Sequence, residues 1–265
     1  MVTVAAVWRR RQWLAALGVA LVIASVLPPL VTLAHRYIFA ESLQFAMFGL
    51  GGPALIVMGA PWRMLRLSRG AGATRAGEAS GGAGPLDRLA AARRRRTSFL
   101  RAAAFLAAFM IVGVAWRLPP VMDAVAHHPA LVAAELLTLL PAGVGLWLEL
   151  VNSPPLAPRL PHPQRAAVAA LAMWSTWIAA YVLGLANGAV FHAYDPAGGW
   201  LSAVADQEIT AGLVWAAAGL CFVPVVYVTL FAWLKDDDNP DEELQRIVRD
   251  GNQRVVVRGW ARPQR

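Results

Sequence analysis

Long hydrophobic runs alternate with short polar segments from the amino terminus to about residue 234. Each run holds about 20 or more residues, which as a helix is enough to cross a hydrocarbon core of roughly 30 Å. Because lipid offers no hydrogen-bond partners, the backbone of such a run must be helical. The pattern predicts an all-α, polytopic membrane protein with six transmembrane helices, at about residues 12–34, 37–60, 98–117, 129–151, 166–190 and 209–234.

The basic residues predict which way this bundle is oriented. Hydrophobic residues make up 58% of the chain and charged residues 15%, with a formal net charge of +8. Lys and Arg gather at the amino terminus, in the loop after the second helix, in the loop after the fourth helix and in the tail; only Arg36 and Arg117 lie elsewhere. Such an excess marks the cytoplasmic side. Both termini are therefore predicted to be cytoplasmic in a bacterial inner membrane, and the charge indicates topology rather than nucleic-acid binding.

The amino terminus has a second interpretation. Arg9–Arg11, an apolar stretch and Thr32–Ala34 resemble a secretory signal with a small-residue cleavage site. The apolar region is long for a signal and contains Pro28 and Pro29, so a retained first helix is expected. Cys221 is the one cysteine and lies in the sixth predicted helix, so it forms no intrachain disulfide.

Two polar segments are expected in the cytoplasm. In the loop 61–97, Gly70–Gly84 is rich in small residues, and Arg93–Arg96 comes directly before the third helix. These arginines are expected to hold the helix end at anionic lipid headgroups, with about 1 kcal/mol from each; an acidic protein partner is the alternative. The tail, residues 235–265, is predicted to contain a short helix that Asn239 and Pro240 begin and that ends near residue 250.

Ionisable residues inside apolar spans are rare and often functional. Glu41 and Glu135 lie near the outer ends of the second and fourth helices, and we expect them to face each other within the bundle. Imidazole and carboxylate groups together suit copper, zinc or iron. The candidate metal ligands on the outer side are Glu41, Glu135, His35, His128, His192 and Asp206, with His127 and Glu208 nearby. The alternative is that these are interfacial polar residues, solvated where the helices leave the membrane.

Several other functional classes find little support. No two histidines lie at matched depth inside spans, which disfavours bis-histidine haem ligation and an electron carrier. The middle of the predicted membrane region is almost wholly apolar, which disfavours a transporter built on broken helices with polar centres. The sequence contains no nucleotide-binding loop, catalytic triad or zinc-protease helix, so a non-enzymatic role is predicted.

Three stretches resemble the CtaG-type cytochrome c oxidase assembly factors. Residues 44–61, especially Pro53–Pro61, are similar to the family's second-helix signature; Glu135, followed by Gly145-Leu-Trp147, is similar to its Glu-His helix. Residues 201–215 resemble its Asp-Gln-Gln-x-Ala-Gly segment. The residues that carry the resemblance most directly are Gln44, Pro53, Gly59, Pro61, Asp206, Gln207, Gly212 and Trp215.

The chain also departs from this family. The family motif His-Met-x-Gln-His corresponds here to Glu41–Phe45, so one helix face carries a carboxylate and a phenyl ring instead of two imidazoles. Leu136 replaces the histidine after the glutamate. The chain also has one helix fewer than is usual in the family. The resemblance implies a role in the biogenesis of haem–copper oxidases, with copper as the candidate cofactor; the missing histidines argue against copper handling by this chain.

The resulting hypothesis is a six-helix inner-membrane assembly factor whose partners are membrane lipids and subunits of a terminal oxidase or another respiratory complex. A resident accessory subunit of such a complex is the first alternative. A metal- or haem-binding electron carrier is the second, disfavoured by the lack of paired histidines.

Overall fold

The computed structural model describes residues 4–63, 85–95, 98–186, 188–194 and 201–237. These residues form an all-α bundle. The helices are α1 (Val4–Ser25), α2 (Pro28–Ala34), α3 (Ile38–Phe45), α4 (Gly52–Gly59), α5 (Pro85–Arg95), α6 (Ser98–Trp116), α7 (Pro119–His127), α8 (Pro129–Leu150), α9 (His162–Gly184) and α10 (Ala203–Asp237). A π-helical turn, Ala46–Gly51, joins α3 to α4, and short 3-10 turns occur at Pro61–Arg63 and His192–Tyr194.

Five helical stretches of the described chain are long and apolar enough to cross a membrane, and a bent pair makes a sixth. Their order matches the six predicted segments. The bent pair is α1 and α2, and the five stretches are Ile38–Gly59, Phe99–Trp116, Ala130–Leu150, His162–Gly184 and Ala203–Lys235.

Three predicted segments differ from the observed helices. The first, expected to be continuous over 12–34, bends by 54° between α1 and α2, because Pro28 and Pro29 have no N–H groups to continue the helical ladder. The fifth begins at His162 rather than 166, with a proline in its first turn, and ends at Gly184 rather than 190. The sixth begins at Ala203 rather than 209. Gly70–Gly84 and the predicted tail helix lie outside the described residues.

Pro53 explains the π-helical turn within the second span. A proline in a helix cannot donate to the carbonyl four residues earlier, here Gly49, and its ring crowds that carbonyl. Over Ala46–Gly51 the helix makes one wider, π-helical turn, in which the Gly52 N–H donates to the Met47 carbonyl five residues earlier. The widened turn changes the rotational register between α3, which carries Glu41, and α4.

Small residues allow the helices to approach closely. A Cβ on Gly18 of α1 would lie only 2.8 Å from the Ile56 nitrogen of α4, and a Cβ on Gly59 would overlap the Ala15 backbone. A Cβ on Gly143 of α8 would lie 2.6 Å from the Gly49 carbonyl oxygen. The second span is therefore packed directly between α1 and α8.

The bundle has two polar ends. Glu41, Arg117, Glu135 and Asp206 belong to the same end, called here the Glu41 end, because they lie at the start of α3, after α6, near the start of α8 and at the start of α10. The opposite end, the Glu149 end, carries Glu149 at the finish of α8 together with arginines of α5, α6 and α9. Between them lies an apolar core in which Trp147 stacks on Phe222, with ring centroids 5.2 Å apart and an interplanar angle of 4°.

Candidate functional site

A buried charge cluster lies at the Glu41 end of the bundle. Glu41 and Glu135 are each 1% exposed. Arg117 donates from Nη1 to Glu41 Oε2 at 2.6 Å and to Ser42 Oγ at 2.7 Å. The Glu135 carboxyl group lies within interaction range of both the Glu41 carboxyl and Arg117. The structure therefore brings the two carboxyl groups together, as the sequence predicted, and adds a cation that the sequence did not assign to them.

Phe45 completes the surroundings of Arg117. It lies four residues after Glu41, and therefore on the same face of the helix. Its ring centroid is 4.1 Å from the Arg117 guanidinium carbon, a distance typical of a cation–π interaction. The helix face that carries two imidazoles in the family motif thus holds an Arg–Glu ion pair and a stacked guanidinium in this chain.

The α7 helix and the His192–Tyr194 turn cover the cluster. Arg117 Nη1 lies 3.9 Å from the Met122 sulfur. The Tyr194 hydroxyl donates to the Met122 carbonyl at 3.4 Å, and the Ala193 N–H donates to Asp123 Oδ1 at 3.0 Å. Burial, together with the nearby Glu41 carboxylate, raises the pKa of Tyr194 above its ordinary value. The α7 helix and the His192–Tyr194 turn therefore separate the charged groups from solvent at this end of the bundle, and Glu41 is 1% exposed.

The histidines of this end do not converge on the cluster. His35 Nδ1 lies 3.2 Å from the Ala126 carbonyl oxygen. The His192 side chain is 86% exposed and lies 4.0 Å from Asp123. His127 and His128 are exposed. The predicted metal ligands are thus distributed over several places at this end.

A copper ion does not fit the residues that the structure brings together. Within the described ranges, no group of three or more His, Cys, Asp or Glu side chains is placed to hold a metal ion. One oxygen of Glu41 already accepts from Arg117, and Leu136 and Phe45 replace the imidazoles of the family motif. Copper prefers imidazole or thiolate donors. Copper binding at Glu41, Glu135, His35, His128, His192 and Asp206 stays a prediction from the sequence.

Asp206 and Gln207 connect helix ends. Asp206 Oδ2 accepts from the Ile38 N–H at 2.7 Å and Oδ1 from the Phe39 N–H at 2.9 Å, so Asp206 caps the start of α3 from a distant part of the chain. Gln207 donates to the Leu183 carbonyl at 2.8 Å and accepts from the Val190 N–H at 2.9 Å. These two residues hold the start of α10 against α3 and the end of α9. Glu41 lies one turn into the capped helix, so Asp206 helps to position it.

The remaining family-motif residues shape the backbone and the surface. Gln44 donates to the Ser25 carbonyl at 2.6 Å, which connects α3 to the end of α1. Pro61 follows Ala60, whose φ of 50° ends α4 in the left-handed region. Trp215 is 44% exposed and stacks on Trp177 with ring centroids 5.1 Å apart. A Cβ on Gly212 would have no neighbour within 4 Å in the described chain.

A second ion-pair network lies at the Glu149 end. The Glu149 side chain is 0% exposed and accepts from Arg93 at 2.6 Å and from Arg101 at 2.7 and 2.8 Å. Arg101 also donates to the Arg93 carbonyl at 2.7 Å. Burial lowers the pKa of Arg93, and the nearby Glu149 opposes this effect. Arg93 was expected at lipid headgroups; instead its side chain is 10% exposed and binds within the bundle.

The sequence missed Arg117 and Glu149, although each carried a signal. Arg117 was an exception to the one-sided distribution of basic residues, and Glu149 was a second carboxylate within the fourth apolar run. A charged residue at the edge of a span often reaches water with its side chain. Its position in the sequence therefore does not show whether it is solvated or paired inside the bundle.

Comparisons with known proteins agree with the resemblance. No curated protein matches the chain, and no solved structure matches it. The family model described as cytochrome c oxidase caa3 assembly factor matches residues 3–236. This match covers the described helices except Asp237, the last residue of α10, and includes the charge cluster and the Asp206-Gln207 pair. The chain therefore belongs to the cytochrome c oxidase caa3 assembly factor family.

Proposed function

We propose that this protein is a multi-pass membrane factor that acts, without enzymatic activity, in the biogenesis of a haem–copper terminal oxidase. The observation that carries the proposal is the family match over residues 3–236. The five or six apolar helices of the described chain support insertion in a membrane. The partners are then subunits of the oxidase, met within the bilayer.

The proposed orientation places the Glu149 end in the cytoplasm and the Glu41 end outside a bacterial inner membrane. The distribution of Lys and Arg supports it, because basic residues are retained on the cytoplasmic side. His192 and Arg88 are exposed at opposite ends of the bundle. In a Cys221→Ser background, cysteine at position 192 should react with an impermeant reagent added to intact cells. Cysteine at position 88 should react only after permeabilisation, and labelling of both from one side would contradict the orientation.

The charge cluster supports a role that does not require the protein to carry copper at Glu41. Arg117 supplies a cation from the chain itself between Glu41 and Phe45. This arrangement requires no metal to neutralise Glu41. Copper analysis of the purified protein, before and after incubation with Cu(I) and a competing chelator, tests whether the protein carries copper. One retained copper per chain would contradict the role without copper.

A resident accessory subunit is the second candidate function. The observation that favours it is the same internal ion pair, because a scaffold that needs no exchangeable ligand also suits a permanent component. The two roles differ in stoichiometry. We expect deletion of the gene to deplete the assembled oxidase, and purified mature oxidase to lack this chain. One copy retained in each mature complex after mild detergent extraction would establish the resident role.

A further inference from the structure

The carboxyl groups of Glu41 and Glu135 form a close pair at the Glu41 end of the bundle. Glu41 lies in the first turn of α3 and Glu135 in the second turn of α8, and each residue is 1% exposed. The two carboxyl groups lie within hydrogen-bonding range of each other. Since both are buried, their hydrogen bonds must come from neighbouring groups rather than from bulk water.

Three of the four oxygens of this pair have no hydrogen-bond donor. Glu41 Oε2 accepts from Arg117 Nη1 at 2.6 Å and from Ser42 Oγ at 3.3 Å. Glu41 Oε1 and both oxygens of Glu135 are buried and meet no donor within the part of the chain that the structure describes. An ionised carboxylate only accepts, whereas a protonated carboxyl group also has an O–H that donates. One proton added to the pair therefore supplies a missing donor.

Arg117 neutralises one of these two carboxyl groups and not the other. Its Nη1 donates to Glu41, whereas its Nε and Nη2 atoms make no hydrogen bond to Glu135 or to any other described residue. Arg117 and Glu41 together are therefore neutral. An ionised Glu135 would add a second buried negative charge beside Glu41, with no counter-charge bound to it among the described residues. Burial and a neighbouring like charge both favour the neutral form of a carboxyl group.

The other titratable groups at this end do not change the balance. Two carboxylates accept from backbone N–H groups, a tyrosine hydroxyl donates to a backbone carbonyl, and one histidine nitrogen lies beside a backbone carbonyl oxygen. These are Asp123, Asp206, Tyr194 and His35, while His127, His128 and His192 are exposed. Among the described residues, Arg117 is the cation that acts on Glu135. The pair therefore has no second cation from the described chain.

We propose that Glu135 carries a proton in the folded protein and donates it in a hydrogen bond to Glu41 Oε1. The Glu41–Glu135 pair is then a buried binding site for one proton, covered by α7 and the His192–Tyr194 turn. Release of this proton to solvent would leave two carboxylates side by side, so the bound proton stabilises the closed arrangement. The inference does not depend on the proposed role in oxidase assembly.

Infrared spectroscopy tests for the proton directly, because the C=O stretching band of a protonated carboxyl group is separate from the bands of carboxylates and amides. The sample is the full chain in a detergent without ester groups, treated with a chelator. Measurement at about pH 8 leaves exposed carboxyl groups ionised. We expect the unaltered protein to show a protonated-carboxyl band and Glu135→Gln to lack it.

Glu208→Gln is the matched control for this spectrum. It removes an exposed carboxyl group of α10, so the protonated-carboxyl band should remain. Absence of the band from the unaltered protein, or its survival in Glu135→Gln, would overturn the proposal.

The pH dependence of unfolding gives a second test with the same variant. The glutamine of Glu135→Gln donates an N–H to Glu41 where the acid donates its O–H, so this variant should fold. An unfolded glutamate is ionised above about pH 4.3, so near neutral pH the folded chain binds one proton more than the unfolded chain. Stability therefore falls as the pH rises, because the unfolded state binds fewer protons.

Relative to Glu135→Gln, the folding equilibrium constant of the unaltered protein should fall by up to about tenfold for each pH unit from about 6 to about 8. Thermal unfolding in detergent across this range measures the difference between the two proteins. The same pH dependence in both would mean that Glu135 is ionised in the folded protein, which would refute the proton site.

Discussion

Arg117 is one of two basic residues, with Arg36, whose positions the one-sided distribution of Lys and Arg does not explain. It lies at the predicted outer end of a span, where a basic residue is disfavoured, yet its side chain turns inward to Glu41 at 2.6 Å. Burying both charges is costly, but once they are buried the pair is strongly interdependent, because either partner alone would be an uncompensated charge. The Glu41 end of the bundle is thus organised around one guanidinium.

Removing Arg117 should destabilise the protein far more than removing an exposed arginine. We expect Arg117→Met to lower the free energy of unfolding by about 3–5 kcal/mol, because Glu41 is left buried and unpaired. Thermal unfolding in detergent measures the loss. Arg36→Met is the matched control, since Arg36 is exposed at the same end. Addition of Glu41→Gln should recover part of the loss; similar unfolding midpoints for Arg117→Met and Arg36→Met would contradict the role of the pair.

Replacing Asp206 should destabilise the protein more than replacing an exposed carboxylate nearby. Asp206→Ala leaves the N–H groups of Ile38 and Phe39 without their carboxylate. Loss of a helix cap costs about 1–2 kcal/mol, so the unfolding midpoint in detergent should fall. Glu208→Ala changes an exposed carboxylate two residues away and should have little effect. An unchanged midpoint in Asp206→Ala would show that α3 does not depend on this cap.

At the scale of the element, prolines and glycines decide where the spans bend and how closely they pack. Pro28 and Pro29 separate α1 from α2, and Pro53 accompanies the π-helical turn. Glycine has the opposite effect, because it removes the side chain that would hold two backbones apart. The crossing of α1 and α4 depends on Gly18 and Gly59 in this way.

Gly59→Ala should therefore force α1 away from α4. The added methyl group would overlap the Ala15 backbone, which has no flexible atoms to move aside, and overpacking of this kind costs about 1–3 kcal/mol. Gly51→Ala is the matched control, since the nearest atom to its Cβ is 3.8 Å away. The two unfolding midpoints in detergent provide the comparison, and a midpoint for Gly59→Ala no lower than that of Gly51→Ala would show that the crossing can relax.

At the scale of the whole molecule, the Glu149 network connects two consecutive helices, α5 and α6, to the distant helix α8. Arg93 belongs to α5, Arg101 to α6 and Glu149 to α8. Through this network the short helix α5, which precedes the third span, is attached to the body of the bundle. Leu86 and Ala90 of α5 also pack against the main apolar core.

Replacing Glu149 should release α5. In Glu149→Gln the two arginines lose their shared carboxylate, so the free energy of locally opening α5 should fall by about 1.4 kcal/mol or more. The backbone amides of residues 85–95 should then exchange with solvent at least about tenfold faster. Hydrogen exchange followed by mass spectrometry measures this segment directly. Glu208→Gln, an exposed change at the opposite end, should leave its exchange unaltered. Equal exchange in the two variants would mean that apolar contacts alone hold α5.

Much of the fold followed from local patterning. The length and hydropathy of each run determine where a helix must lie, so the predicted segments at 98–117 and 129–151 agree closely with Ser98–Trp116 and Pro129–Leu150. Ends set by distant contacts were less well predicted. The start of α10 lies six residues earlier than expected, where Asp206 and Gln207 bind α3 and the end of α9. Such contacts have no counterpart in a hydropathy window.

By itself, the sequence determined the all-α class, the order of the apolar helices and the end of the bundle at which Glu41 and Glu135 lie, because helix length and direction depend on nearby residues. Only the tertiary structure decided which charges form pairs. Arg117 and Glu41 are 76 positions apart, and Arg101 and Glu149 are 48 apart. Whether a buried charge meets a counter-charge, a metal or water is decided over a few ångströms, and only the packing of the helices sets that distance.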